Sequence, residues 1–151
     1  EYRRGLARRM GAAEALDPAA EDLRRAVLHR TEGRGADLVI DCSGQPRAFA
    51  QWVELSRRGG RIAVCGLGHG PAEFDLSRLV FFERQVMGVL GYRRDHQAVL
   101  GLMAAGRLDP SPFLGDPISL DRVVPDGFER LLSDPSAPLR IPIRPAATAS
   151  A

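Results

Sequence analysis

The sequence predicts an α/β fold built on an open parallel sheet, and three observations carry that prediction. Two apolar runs, Leu38 to Ile40 and Ile62 to Cys65, are continuous rather than alternating, which is the pattern of parallel strands covered on both faces. Between them lies a segment of helical spacing bounded by glycines, and strand, helix, strand with tight glycine turns is the unit of right-handed parallel crossovers. With 44% hydrophobic residues in 151, the chain has enough apolar surface to bury a core.

The elements follow in order. Tyr2 to Met10 is arginine-rich with Leu6 and Met10 on one face, an amphipathic helix ended by Gly11. A short apolar stretch, Ala12 to Leu16, closes on Asp17 and Pro18, after which Ala19 to Arg30 is expected as a helix with Leu23 and Val27 inward. The strand around Leu38 to Ile40 is followed by a helix opened by Pro46, whose Phe49, Trp52, Val53 and Ser56 keep helical spacing until Gly59 and Gly60 stop it. The second strand ends at Gly66, Leu67 and Gly68. After a loop holding His69, Pro71 and Asp75, Leu76 to Glu83 reads as a short helix and Val86 to Leu90 as a strand ending at Gly91. Residues 93–106 form a longer helix, and the proline-rich LDPSPFLGDPISL leads to a short strand near Ile118. Asp121 is expected to cap a helix running to about Leu132, with Pro125 tolerated in its first turn, and Leu139 to Ile143 is a last short strand before an Ala/Ser/Thr tail expected to be disordered.

Composition removes several function classes. The formal charge of +2 supplies no field for gathering nucleic acid. All basic residues are arginine, so Schiff-base chemistry, a phosphate-cradling lysine loop and a lysine general base are absent. No apolar run reaches membrane length and no signal peptide is present, so a cytoplasmic setting is expected. Cys42 and Cys65, each ending an apolar run, are expected as reduced, half-buried thiols. His29, His69, His96 and the cysteines show no ligand spacing for a metal, and Ser43 lacks the elbow of a serine nucleophile. The chain opens on Glu1 in what reads as the middle of a helix, so it is expected to be a piece of a longer protein.

In open parallel sheets ligands bind at the carboxyl ends of the strands, where turns expose peptide groups. Three such ends are present: Asp41-Cys42-Ser43-Gly44, Cys65-Gly66-Leu67-Gly68 and Val89-Leu90-Gly91. Their glycines suit close approach of a flat ligand, with Leu67 and Leu90 as apolar contacts. Each glycine taken singly is explained as well by a tight turn. Arg3, Arg4, Arg8 and Arg9 near the start, and Arg140 near the end, are candidates for anionic groups, although solvated surface charges account for most of them.

The succession RRMGA, ALDP, GRGADLVIDCSG, RRGGRIAVCGLG, FDLSRLVFF, GVLGY and AAGRLDPSP resembles the carboxyl-terminal half of the medium-chain zinc-dependent alcohol dehydrogenases, in particular their threonine and sorbitol dehydrogenase branch. The resemblance covers residues 1 to about 145 and rests on combined order and spacing. It implies a partial Rossmann-type sheet with flanking helices over 1–91, a segment over 92–145 returning to a GroES-like catalytic domain, and a tail over 146–151. It implies NAD, or NADP, as cofactor, hydride transfer to or from a secondary alcohol, polyol or amino alcohol, and zinc held by residues outside this chain. The first strand, its phosphate turn and the acidic residue for the adenosine ribose lie upstream in the family.

Position by position, the resemblance places Arg3 beside the adenosine ribose, Cys42, Ser43 and Gly44 on the wall of the adenine cleft, and Arg140 near the pyrophosphate. Cys65, Gly66 and Leu67, with Val89, Leu90 and Gly91, match the surface that holds the nicotinamide carboxamide through main-chain groups. No catalytic residue and no metal ligand is carried over, so the piece alone is expected to be inactive. The strand 86–90 matches the family's sheet edge, which implies a homodimer or homotetramer. Two alternatives stay open: the zinc-free quinone and enoyl reductases of the same superfamily, and a non-catalytic nucleotide-binding or dimerisation module.

Overall fold

The computed structural model describes residues 1–68, 70–92 and 94–145, so His69, Arg93 and the tail expected from residue 146 lie outside the described residues. The chain divides into two compact units, one over residues 16–92 and one combining residues 1–15 with the residues after Tyr92.

The unit over 16–92 contains a three-stranded parallel sheet in the order β1 (Ala36–Asp41), β2 (Ser56–Val64), β3 (Gln85–Gly88). Helix α2 (Leu23–Arg30) precedes β1, α3 (Pro46–Leu55) joins β1 to β2, and α4 (Leu76–Phe81) joins β2 to β3. This is the parallel α/β arrangement that the continuous apolar runs predict. Helix α2 starts later than the expected Ala19, because the Asp22 carboxylate accepts from the Arg25 N–H at 3.0 Å and so caps the first turn. Residues 17–21 instead form a turn in which Asp17 carbonyl accepts from Ala20 and Glu21.

The core lies on one face of the sheet. Ile62 is fully buried, Val53 and Trp52 nearly so, and Val39, Ala48, Phe49, Val64 and Leu79 pack around them. Phe49 meets Trp52 edge to face and Phe74 at a tilt, both with ring centroids 4.8 Å apart. Burying each of the large side chains stabilises the unit by about 1.5–3 kcal/mol. Strands covered on both faces were expected, but among the described residues of this unit only this face is covered. Leu38 is 44% and Ile40 59% exposed, because they alternate away from α3, and Ala63 and Met87 stand in register beside Ile40.

The helix from Pro46 does not run on to the glycine pair. It ends at Leu55, and Ser56 already belongs to β2, where it pairs with Ala36. The Ser56 hydroxyl donates to the Val53 carbonyl at 3.2 Å, while its own carbonyl receives Nε and Nη2 of Arg84 at 3.2 and 2.7 Å. The glycines then sit in a register shift: Ala36 pairs with Ser56 but Leu38 with Arg61, and the extra residues are absorbed around Gly59, whose φ of +65° glycine adopts without strain.

In the other unit, α1 (Tyr2–Arg9) buries Leu6, and the Gly11 N–H bonds the Arg8 carbonyl just past its end. Helix α5 (His96–Ala104) falls inside the expected span. The helix expected after Asp121 is broken into a 3₁₀ turn over Leu120–Arg122, a π-helical stretch over Val123–Glu129 and a short α6 (Arg130–Ser133), and Asp121 is not its cap. Pro125 lacks the N–H that an α-helical turn requires there, and the wider π turn accommodates its ring. The expected strand Leu139 to Ile143 shrinks to β5 (Ile143–Arg144), paired with β4 (Ile118–Ser119), plus an isolated bridge between Leu114 and Arg140. Pro138 and Pro142 cannot donate to a ladder.

Candidate functional site

The site is the row of carboxyl ends of β1, β2 and β3, and Asp41 organises it. The residue is 4% exposed, and its carboxylate accepts from the Ser43 N–H at 3.0 Å, the Ser43 hydroxyl at 2.5 Å and the Gly44 N–H at 3.2 Å. Its carbonyl accepts from the N–H groups of Cys65 and Gly66 at 2.8 and 2.9 Å. One residue therefore ties the turn after β1 to itself and to the end of β2. Asp41 was not singled out from the sequence, although an acidic residue two before a serine in a strand-to-helix turn is the signature of an Asx turn.

Glycine lets the two turns close on one another. A Cβ on Gly66 would lie 2.2 Å from the Gly44 nitrogen, one on Gly44 2.5 Å from the Leu67 carbonyl oxygen, and one on Gly68 2.4 Å from the Gly44 oxygen. Gly44, Gly66 and Gly68 are thus required by main chain packed on main chain. Gly91 differs: it has a φ of +63° and open space where a Cβ would stand.

The third end follows directly. The Val89 N–H donates to the Val64 carbonyl at 2.9 Å, one residue beyond β3, which itself is shorter than the expected strand to Leu90. Past that bond the chain turns away from the ladder and leaves Leu90 80% exposed, matching Leu67 at 83% on the neighbouring end. A cleft of about 220 Å³ beside the first two ends is lined by Gly44, Gln45, Pro46, Phe49, Val64 and Gly66, among others. Cys42 and Cys65 are exposed rather than half-buried, because both have passed the last covered position of their strands.

The sheet brings together Cys42, Ser43 and Gly44, Cys65, Gly66 and Leu67, and Val89, Leu90 and Gly91 on adjacent strand ends. Arg3 and Arg140 belong to the other unit. Arg3 lies exposed on α1, and Arg140 is exposed with its guanidinium donating to the Leu139 carbonyl at 2.9 Å.

Chemically the row offers peptide groups and apolar surface. The Ser43 hydroxyl is engaged twice, donating to Asp41 and accepting from the Gln45 N–H at 3.2 Å, as a residue of the turn does. Among the described residues no group of three or more His, Cys, Asp or Glu stands where it would hold a metal. At the opposite ends of the strands the charges are structural. Arg57 bonds the Asp37 carboxylate and holds it below the usual aspartate range, and burial pulls Arg84 below its ordinary value where it lies 4.4 Å over the Phe82 ring.

Comparison with known proteins agrees with this geometry. Residues 1–105 match the model of the zinc-binding dehydrogenase family. The chain is 28% identical to (R,R)-butanediol dehydrogenase of Neisseria gonorrhoeae over 95% of its own length and 41% of that protein. It is 44% identical to L-threonine 3-dehydrogenase of Anaeromyxobacter dehalogenans over 60% of its length and 26% of that protein. The structure superposes on 2R,3R-butanediol dehydrogenase from Bacillus subtilis with a TM-score of 0.88 and 29% identity, covering 95% of this chain and 41% of that one. The chain therefore spans about two fifths of the length of relatives that it matches almost end to end. With a partial Rossmann-type sheet, its strand ends aligned and a family match over most of its length, the chain belongs to the zinc-binding dehydrogenases.

Proposed function

We propose that this chain supplies the nicotinamide side and part of the adenosine wall of an NAD(P) site, in a protein that transfers hydride between the cofactor and the carbon of a small secondary alcohol, polyol or amino alcohol. The observation that carries this reading is the alignment of three parallel strand ends whose outermost residues, Leu67 and Leu90, stand exposed beside main-chain groups. Such a surface suits a flat, amide-bearing ring: peptide groups meet the carboxamide and leucine side chains meet the ring faces. The cofactor, when bound, supplies the hydride chemistry.

The chain's own residues have positioning work. Asp41 holds the turn carrying Cys42, Ser43 and Gly44, and the Gly44 and Gly66 contact sets its spacing from the β2 end. Arg3 and Arg140, as contacts to the ribose and pyrophosphate, enter this proposal from the family resemblance alone, as does zinc bound by residues outside the chain. The nucleotide-binding part is placed over 1–91 and the return towards the catalytic domain over 92–145; the division near Tyr92 supports the boundary between them, while residues 1–15 group with the later residues.

Two further parts of the reading concern assembly and setting. Strand β3 is a sheet edge with all four residues exposed, including Val86 and Met87, and an uncovered apolar edge suits pairing with a second copy as homodimer or homotetramer. Among the described residues no helix is long and apolar enough to cross a membrane, and two free cysteines suit a reducing cytoplasm.

The test is a titration of the isotope-labelled chain with NADH and, separately, NADPH, read by amide chemical shifts. Shifts concentrated at Ser43, Gly66, Leu67, Val89, Leu90 and Gly91, with Leu28 and His29 unmoved, are expected. The isolated piece is expected to bind weakly, and shifts confined to α2 or elsewhere away from the three strand ends would overturn the assignment.

A further inference from the structure

The pairing of β1 with β2 ends where the two cysteines begin. Asp41 stands in register with Val64, and the Cys65 N–H donates to the Asp41 carbonyl at 2.8 Å, so Cys42 and Cys65 are the residues that directly follow this last pair. Val64 packs towards the core, which turns Cys65 to the opposite side, where Ile40 and Ala63 are paired, and Cys42 opens the turn that Asp41 holds through Ser43 and Gly44. Both cysteines are exposed and neither is bonded to another cysteine. Neighbouring strands run about 4.8 Å apart, inside the roughly 4.4–6.8 Å between Cα atoms that a disulfide spans.

The geometry points to Cys42 and Cys65 as a dithiol that closes to an intramolecular disulfide across β1 and β2 when a small disulfide oxidant such as glutathione disulfide is present. One cysteine, as thiolate, attacks the oxidant and forms a mixed disulfide, releasing one glutathione. The second cysteine then attacks its neighbour's sulfur and releases the other. The two protein thiols give up two electrons, the oxidant's disulfide bond takes them, and the two protons end on the glutathione thiols. The main-chain closure of Gly44 on Gly66 ties the turn after Cys42 to the residue after Cys65, so the fold supplies the proximity that makes the second step intramolecular. The inference stands on strand register and exposure alone and does not depend on nucleotide binding.

The experiment is oxidation of the full 151-residue chain with glutathione disulfide, followed by intact mass measurement and peptide mapping without reductant. Loss of two hydrogen masses, with the Cys42 and Cys65 peptides joined and no glutathione retained, is expected. C65S should retain one glutathione on Cys42 and C42S one on Cys65. Closure in native buffer should outpace closure in guanidinium by at least about tenfold, since the folded chain fixes the pair. Two stable glutathione adducts on the wild-type chain, disulfide-linked dimers in place of internal closure, or equal closure rates folded and unfolded would each overturn the inference.

Discussion

A Cβ built on Gly66 would sit 2.2 Å from the backbone nitrogen of Gly44. The ends of β1 and β2 thus touch main chain to main chain, and the space between them belongs to the protein. Gly66→Ala must push the turns apart and is expected to cost about 2 kcal/mol of unfolding free energy, in the range of overpacked sites. Gly88→Ala, where nothing lies within 4 Å, should stay within about 0.5 kcal/mol of wild type. Urea unfolding of the two variants makes the comparison, and equal midpoints would contradict the contact.

Asp41→Ala leaves the Ser43 and Gly44 N–H groups without their acceptor in a part-buried turn. A loss of about 2 kcal/mol is expected, together with faster amide exchange at Ser43 and Gly44 than at Val39. Exchange rates unchanged at those two amides would show that the carboxylate does not hold the turn.

Ile62→Ala empties a fully buried position and should cost about 3 kcal/mol, whereas Ile40→Ala, at 59% exposure, should change stability by less than about 0.5 kcal/mol. A comparable cost at both positions would mean that the second face of the sheet is covered in solution.

Arg57 holds the Asp37 carboxyl below the usual aspartate range through a hydrogen bond and its charge, so the native carboxyl titrates below the unfolded one. A group depressed in the folded state lends stability above its unfolded value, near pH 4, and loses it as the pH falls through the native value. Carbon-detected titration should find the Asp37 midpoint below that of an ordinary aspartate, and Arg57→Gln should move it upward. The pair is exposed, so the stability at stake is small.

Much of this molecule follows from local pattern. The unbroken run Leu38 to Ile40 and the spacing of Phe49, Trp52 and Val53 specify a parallel strand and an amphipathic helix, because period and β-branching act within a few residues. The three glycine-bearing strand ends are visible in the same way. Other features required the partner strands. Ser56 leaves its helix because its carbonyl meets Arg84 and its backbone meets Ala36, neither of which is near it in sequence. Leu38 and Ile40 stand exposed because alternation tells which residues share a face but not whether another element covers it. Gly44 and Gly66 were legible as turn residues, yet only the register of β1 on β2 sets them against each other and buries the Asp41 carboxylate between the turns. Sequence alone determined the period of each element and the row of strand ends; tertiary structure decided which of those ends meet and which face stays open, because contacts between distant segments depend on register and packing rather than on local preference.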